Sequence, residues 1–483
     1  MKELTALALE RARKLGATYA DVRAVDKKQE SVRTKNGNVE SMGSSRSKGF
    51  GVRVLYDGAW GFSSSSMVRP DEVERVAAEA VAIAKASATV KRDKDIVLAP
   101  VKTVVGKWES KYRIDPFAVA IEDRIRLLLE ADRLMRANKG VRVASGSISA
   151  MREEKVFAST EGSYIEQTRT ETGAGIEATA AEKGELQRRS YPTSAGGDFA
   201  TRGYELVDDL NLAEHAERVG NEAVALLSAK QCPPLTTDAI IDGSQMTLQI
   251  HESCGHPIEL DRVFGQEAAY AGTSFLTTEK LGNFRYGSDN VNIVADATLR
   301  GGLGSFGYDD EGVPAQRTVI MDKGMFKNYL TSRETAQELG QVSNGTARSD
   351  GWNHIPIIRM TNINLEPGDW TLDEMIKDTK EGVYLETNKS WSIDDRRLNF
   401  QFGVEMAHEI KDGALGPMLK NANYTGITYE FWRSCDAVAN KDEWRLWGLP
   451  NCGKGEPGQV AHVGHGSSPA RFRNVKVGVG KWQ

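Results

Sequence analysis

A chain of 483 residues is longer than a single hydrophobic core usually organises, so two or more domains are expected. Hydrophobic residues make up 40% and charged residues 27%, and Lys+Arg 62 against Asp+Glu 67 leaves a net charge of −5, the balance of a globular protein. Basic residues are scattered and an acid interrupts the run Lys91-Arg92-Asp93-Lys94, so nucleic acid is not an expected partner.

The N-terminal segment MKELTALALERARKLGA carries Glu3, Glu10 and Arg11 among its apolar residues and lacks the uninterrupted core of a signal peptide. Its periodicity predicts a helix from Lys2 to Leu15. From Thr18 to Ser66 alternating segments are punctuated by Asn36-Gly37 and Asp57-Gly58, which are hairpin turn signals, and a helix over Pro70–Ala88 closes the unit. The same order recurs: a helix over Ala118–Ala137, strands over Val141–Ser194 with turns at Glu161-Gly162 and Lys183-Gly184, and a helix over Tyr204–Ala229. The helices ending the two units share Glu-Arg-Val followed by Glu-Ala-Val-Ala at identical spacing, Glu74 to Ala82 and Glu217 to Ala225. Glu30-x-Val32 and Glu154-x-Val156 echo each other in the strands, so a duplication is expected.

Gln231-Cys232-Pro233-Pro234 marks a boundary, because paired prolines stop a helix and stiffen the exit. Beyond it, short apolar segments such as VNIVADATL, RTVIMDKGMFKNYL, IIRMTNINL and NVKVGVG alternate with glycine-containing turns. The expected fold class is therefore α+β: an N-terminal α/β domain over 1–231, with repeats over 1–90 and 115–230, then a mostly antiparallel β domain over 235–483. No apolar stretch approaches the roughly 18 residues that span a bilayer, so no membrane association and a cytoplasmic location are expected.

The chemistry concentrates at HESCGH, His251 to His256. Metalloprotease helices read H-E-x-x-H, with both histidines on one face; here the second histidine falls one residue later. Each helical residue turns about 100°, so an i,i+4 pair is about 40° apart and an i,i+5 pair about 140°. The two imidazoles share an ion only if a π-type bulge or a break absorbs the extra residue. Gly255 and Pro257 favour such a distortion, and Asp242 or Ser244 supplies an N-cap for the helix leading into the motif.

A catalytic zinc needs a third protein ligand and an open position. Cys254 would be cramped within the motif, whereas Cys452 in LPNCGKG, His462 and His465 can approach from the far end of the chain. The four cysteines, Cys232, Cys254, Cys435 and Cys452, are too few for a disulfide framework and read as reduced thiols or metal thiolates. The acidic turn Tyr308-Asp309-Asp310-Glu311-Gly312 reads as a surface loop and His354 as structural. The segment GGLGSFG, Gly301 to Gly307, lacks the lysine and βαβ setting of a phosphate loop and is expected instead to let an extended peptide approach as an added strand.

Four motifs in order, HESCGHPIELD, GSFGYDDEGVPAQRTVIMDKG, NGTARSDGWNHIPIIRMTN and PNCGKGEPGQ, strongly resemble the signatures of the TldD/PmbA family of modulator-of-gyrase proteins, specifically its TldD-like member. The resemblance covers most of the chain. It implies a zinc metalloprotease in which His251, His256 and Cys452 bind Zn²⁺ and Glu252 acts on the water as general base. It further implies a peptide or unfolded-protein substrate and a dimer with a TldE/PmbA-like subunit or with itself. The alternative is a non-catalytic peptide-binding or scaffold protein with a structural zinc. Against it stands Glu252, since a structural site has no use for a carboxylate beside a ligand and usually has four protein ligands.

Overall fold

The computed structural model describes residues 1–91, 94–456 and 458–478. Arg92 and Asp93 of the basic run, Pro457 of the PNCGKGEPGQ motif and the last two residues of NVKVGVG lie outside the described residues.

The first unit runs α1 (Lys2–Lys14), β1 (Tyr19–Lys35), β2 (Asn38–Tyr56), β3 (Ala59–Ser65) and α2 (Pro70–Val90). The hairpin turns fall where the dipeptides place them: Asn36 and Gly37, like Asp57 and Gly58, take positive φ, which Asn, Asp and Gly tolerate best. After the short β4 (Val105–Glu109) the second unit follows as α3 (Ile121–Met135), β5 (Val141–Ser159), β6 (Tyr164–Glu182), β7 (Glu185–Tyr191), β8 (Asp198–Ala200), α4 (Glu205–Leu210) and α5 (Leu212–Ser228). The single helix expected over 204–229 is thus two, because Asn211 adopts the left-handed conformation (φ 48°, ψ 50°) that no right-handed helix continues through.

Both units join one eight-stranded sheet in the order β3-β2-β1-β5-β6, with β1 and β5 antiparallel at its centre and β4, β7 and β8 all pairing with β6. The matched helix segments do the same work in each unit. Val76 and Ala80 of α2, and Val219 and Ala223 of α5, are fully buried against the sheet, while Arg75–Glu79 and Arg218–Glu222 form i,i+4 ion pairs on the outer faces.

The C-terminal part is mixed but mostly antiparallel. Its main sheet runs Glu381–Ile393, Leu235–Ile241, Ala470–Val477, Asn423–Ile427, Asn399–Lys411, Ala414–Lys420, and the additional pairing of Glu381–Ile393 with Asn399–Lys411 closes the path on itself. Lys230–Gln231, at the proline boundary, adds in parallel to Ala414–Lys420, so the connector is stitched into this sheet. Aromatic residues fill the core, with Phe431 stacked on Phe472 at 4.0 Å between ring centroids. A separate hairpin, Arg445–Lys454 with Gln459–Ser467, lies beside it.

Two expectations about the second part are overturned. Asp309, Asp310 and Glu311 do not form a surface loop: they are 1%, 1% and 2% exposed, at the seam with the N-terminal sheet. Glu311 accepts from Arg53 Nη1 (3.1 Å) and from the backbone N–H of Arg333 (2.6 Å), and Asp310 pairs with Lys155 Nζ (2.7 Å). Arg53 also donates twice to Asp21. The backbone of GGLGSFG is occupied within the chain as well: the N–H groups of Gly304 and Gly307 donate to Asn362 Oδ1 (2.9 Å) and Gln167 Oε1 (3.0 Å), and the carbonyl of Gly301 accepts from the N–H of Thr201 (3.1 Å). A Cβ on Gly304 would stand 2.3 Å from the carbonyl oxygen of Thr361 and one on Gly307 2.4 Å from Trp108, so the chain's own packing uses their smallness.

Candidate metal centre

Asp242 caps the helix Gly243–Ile250, its carboxylate accepting from the backbone N–H of Ser244 at 2.8 Å. Every residue from Gly243 to Arg262 is buried except the half-buried Leu248. At His251 the helix changes register. Residues His251–Gly255 form a π-turn in which the backbone N–H of His256 donates to the carbonyl of His251, the i→i+5 bond demanded by the motif's spacing. A 3-10 turn, His256–Ile258, with Pro257 inside it, ends the element. Gly255 permits the close pass beneath it, since a Cβ there would meet Met360 Sδ at 2.3 Å.

The distortion sets the two imidazoles at right angles, with ring centroids 4.8 Å apart. Cys452 arrives on the hairpin Arg445–Lys454, at an irregularity in its register between Leu449 and Cys452 that re-aims the side chain. One potential ligand atom from each of His251, His256 and Cys452 lies within 4.8 Å of the others, and all three residues are buried. Cys452 Sγ stands 3.9 Å from His256 Nε2.

Hydrogen bonding decides which nitrogens are free. The carbonyl of Ile363 can only accept, so the proton of His465 sits on Nδ1, 3.1 Å from it. His465 Nε2 is then an acceptor, and His251 Nδ1 donates to it at 2.8 Å. That leaves the His251 Nε2 lone pair uncommitted. His256 Nδ1 donates to Glu259 at 2.9 Å, which likewise frees Nε2. Burial holds His251 below its usual range, and His256 and His465 well below, favouring the neutral rings that a metal requires. Burial pushes the Cys452 thiol up, but nearby positive charge, Arg359 foremost, draws it down further, so it ionises more readily than an ordinary thiol. Arg359 also grips the hairpin, donating to the carbonyls of Gln459 (3.0 Å) and Cys452 (2.5 Å).

Glu252 faces a cavity of about 500 Å³ that His251, His256 and Cys452 also line, and its carboxylate receives Arg397 Nη1 at 2.6 Å. The rival ligands lie elsewhere. His465 stands behind His251 and orients it, Cys254 is buried in the apolar core with its thiol pushed up by burial, and His462 pairs with Glu171 across the seam. His354 contributes its backbone carbonyl to Arg23. Sequence reasoning missed the orienting role of His465 and both Glu259 and Arg397. Glu259 carried a signal, being three residues after His256 and just past the end of its turn; Arg397 carried none.

Two electron-pair donors from a π-turn and a thiol from a distant hairpin, converging on one cavity, define a two-part α+β protein with a candidate His-His-Cys metal centre. The chain belongs to the PmbA/TldD metallopeptidase family: its residues 20–84, 114–227 and 235–479 match domain 1, the central domain and the C-terminal domain of PmbA/TldA metallopeptidases. It is 34% identical to a metalloprotease of Methanocaldococcus jannaschii over 94% of this chain and 95% of that one. It is 24% identical to a zinc metalloprotease TldD homolog of Saccharolobus solfataricus, over 97% of this chain and 98% of that one. The crystal structure of TldE from Thermococcus kodakarensis shares the fold, with a TM-score of 0.73 at 16% identity, covering 99% of this chain and 100% of that one. No helix among the described residues is long and apolar enough to cross a membrane.

Proposed function

We propose that this chain is a zinc-dependent peptidase that hydrolyses peptides or unfolded protein segments, with His251, His256 and Cys452 as the zinc ligands and Glu252 as general base. The observation that carries the reading is the convergence of two imidazole lone pairs and an easily ionised thiol beside a carboxylate on one open cavity. The donor set suits zinc, which takes imidazole and thiolate readily, and three donors facing a cavity leave room for a further ligand. The zinc named for the Saccharolobus relative points the same way.

When bound, the ion supplies Lewis acidity and brings the pKa of water toward about 7. Glu252 accepts the proton of the attacking water on its carboxylate. As the water oxygen bonds to the carbonyl carbon and the C–N bond breaks, Glu252 returns that proton to the leaving nitrogen. His465 and Glu259 keep the ligand rings turned toward the ion throughout. A scaffold with a purely structural zinc would leave the cavity beside the three donors without a task.

The fold shared with TldE of Thermococcus kodakarensis suggests a TldE/PmbA-like chain as partner, a second copy being the alternative, and a size measurement with and without such a chain tests for a dimer. Glu252→Ala tests the mechanism. Zinc should remain bound while cleavage of a quenched fluorescent peptide library falls to background; undiminished cleavage with zinc in place removes the reading.

A further inference from the structure

Arg397 enters the cavity from the tight connection between strands Glu381–Ile393 and Asn399–Lys411. Its backbone is left-handed, φ 62°, an uncommon conformation for a residue with a branched-off side chain and one that surrounding structure must hold. The Asp394 carboxylate does so by accepting from the backbone N–H groups of Arg396 (3.1 Å), Leu398 (2.8 Å) and Asn399 (3.1 Å), and Thr428 Oγ1 donates to the Arg397 carbonyl at 2.8 Å. The result is an arginine whose side chain is only 14% exposed. Its Nη1 engages Glu252 at 2.6 Å, its buried Nε has no acceptor, and no described residue accepts from its Nη2. A buried cation held by a strained loop, paired through one edge and unpaired through the rest, costs stability unless something else accepts its remaining N–H groups.

We infer that Arg397 is a further catalytic residue: it holds Glu252 through Nη1 and presents the N–H groups of Nη2 to the carbonyl oxygen of the peptide bond under attack. The inference rests on the peptidase reading above. In the hydrolysis, the carbonyl π pair moves onto that oxygen as the water oxygen bonds to carbon, and the Arg397 N–H groups stabilise the negative charge that develops there. The pair returns as the C–N bond breaks, and the proton held by Glu252 passes to the amine. Arginine suits both tasks, because its planar fork donates in two directions without losing its charge, and donors aimed where charge develops contribute to turnover more than to ground-state binding.

The test uses the full zinc-loaded chain with Arg397→Ala and Arg397→Gln, each measured for zinc per chain, thermal unfolding, kcat and KM on a quenched fluorescent peptide, and rescue by added guanidinium. The expected result is native zinc content, a kcat lowered by about 100- to 1000-fold, little change in KM, and partial recovery of Arg397→Ala with guanidinium. An unchanged kcat, a loss confined to KM, or a loss that follows zinc content overturns the assignment. The Glu252→Ala chain, run alongside, separates the two failures. If the native chain cleaves and Glu252→Ala does not, an active Arg397→Ala sinks only the role of Arg397. If Glu252→Ala cleaves as the native chain does, the peptidase reading falls and this inference with it.

Discussion

The seam between the two parts and the metal centre both bury polar groups in quantity, and they treat them in opposite ways. At the seam each charge meets its opposite: Arg53 lies between Asp21 and Glu311, and Lys155 faces Asp310. These buried charges are paired within the chain, although Asp21 Oδ1 is left without a partner. At the centre, the donating N–H of each histidine is turned away, toward His465 or Glu259, and the lone pairs and the Cys452 sulfur are turned toward one another. The seam is built of charge pairs, whereas the centre gathers electron-pair donors beside one cavity. One arrangement supplies rigidity and the other supplies chemistry.

Substitutions can break that contrast. The largest effect should come from Cys452→Ala, which removes one of three donors: zinc per chain, read by atomic spectroscopy, should collapse and peptide cleavage with it. The seam should respond through stability instead. Glu311→Ala leaves Arg53 Nη1 and the Arg333 N–H without their acceptor in a buried site, while Asp21 still holds the guanidinium, and should cost about 1–3 kcal/mol in denaturant unfolding, with zinc affinity unchanged. If Glu311→Ala also releases zinc, the two regions are not separate in function.

Smaller changes sharpen the picture. His465→Phe keeps the ring volume but deletes the acceptor that orients His251, and a competition titration should show zinc affinity lowered by about 10- to 100-fold. An unaltered affinity would mean that His251 needs no help from behind. The smallest effect is expected from Cys254→Ala, which trims a core side chain at the cost of about 1 kcal/mol in thermal unfolding and leaves zinc content as it was. Loss of zinc in that variant would reverse the choice of thiol.

The regular parts of the molecule were legible because their causes are local. Asn36-Gly37 and Asp57-Gly58 turn the chain wherever they stand between strand-forming residues, and the one-residue excess in HESCGH leaves a helix no way to align two imidazoles except a wider turn. Locality failed at Asn211, where a long apolar period conceals a left-handed break. It failed again at Asp309 to Glu311, whose acidity reads as solvated until arginines and lysines from distant strands surround it.

What the sequence determined by itself was the set of participants: a strand-rich chain, a histidine pair that must share a bulge, and a thiol-bearing segment near the other end. Only the tertiary structure decided their roles. His251 and His465 are separated by 214 positions and Arg397 and Glu252 by 145, yet each pair is in hydrogen-bond contact. The direction of a proton on a ring, and the cation beside a carboxylate, depend on the atom at the other end of a bond about 3 Å long. No spacing along the chain encodes that partner, because closure of the sheet and packing of the hairpin bring it there.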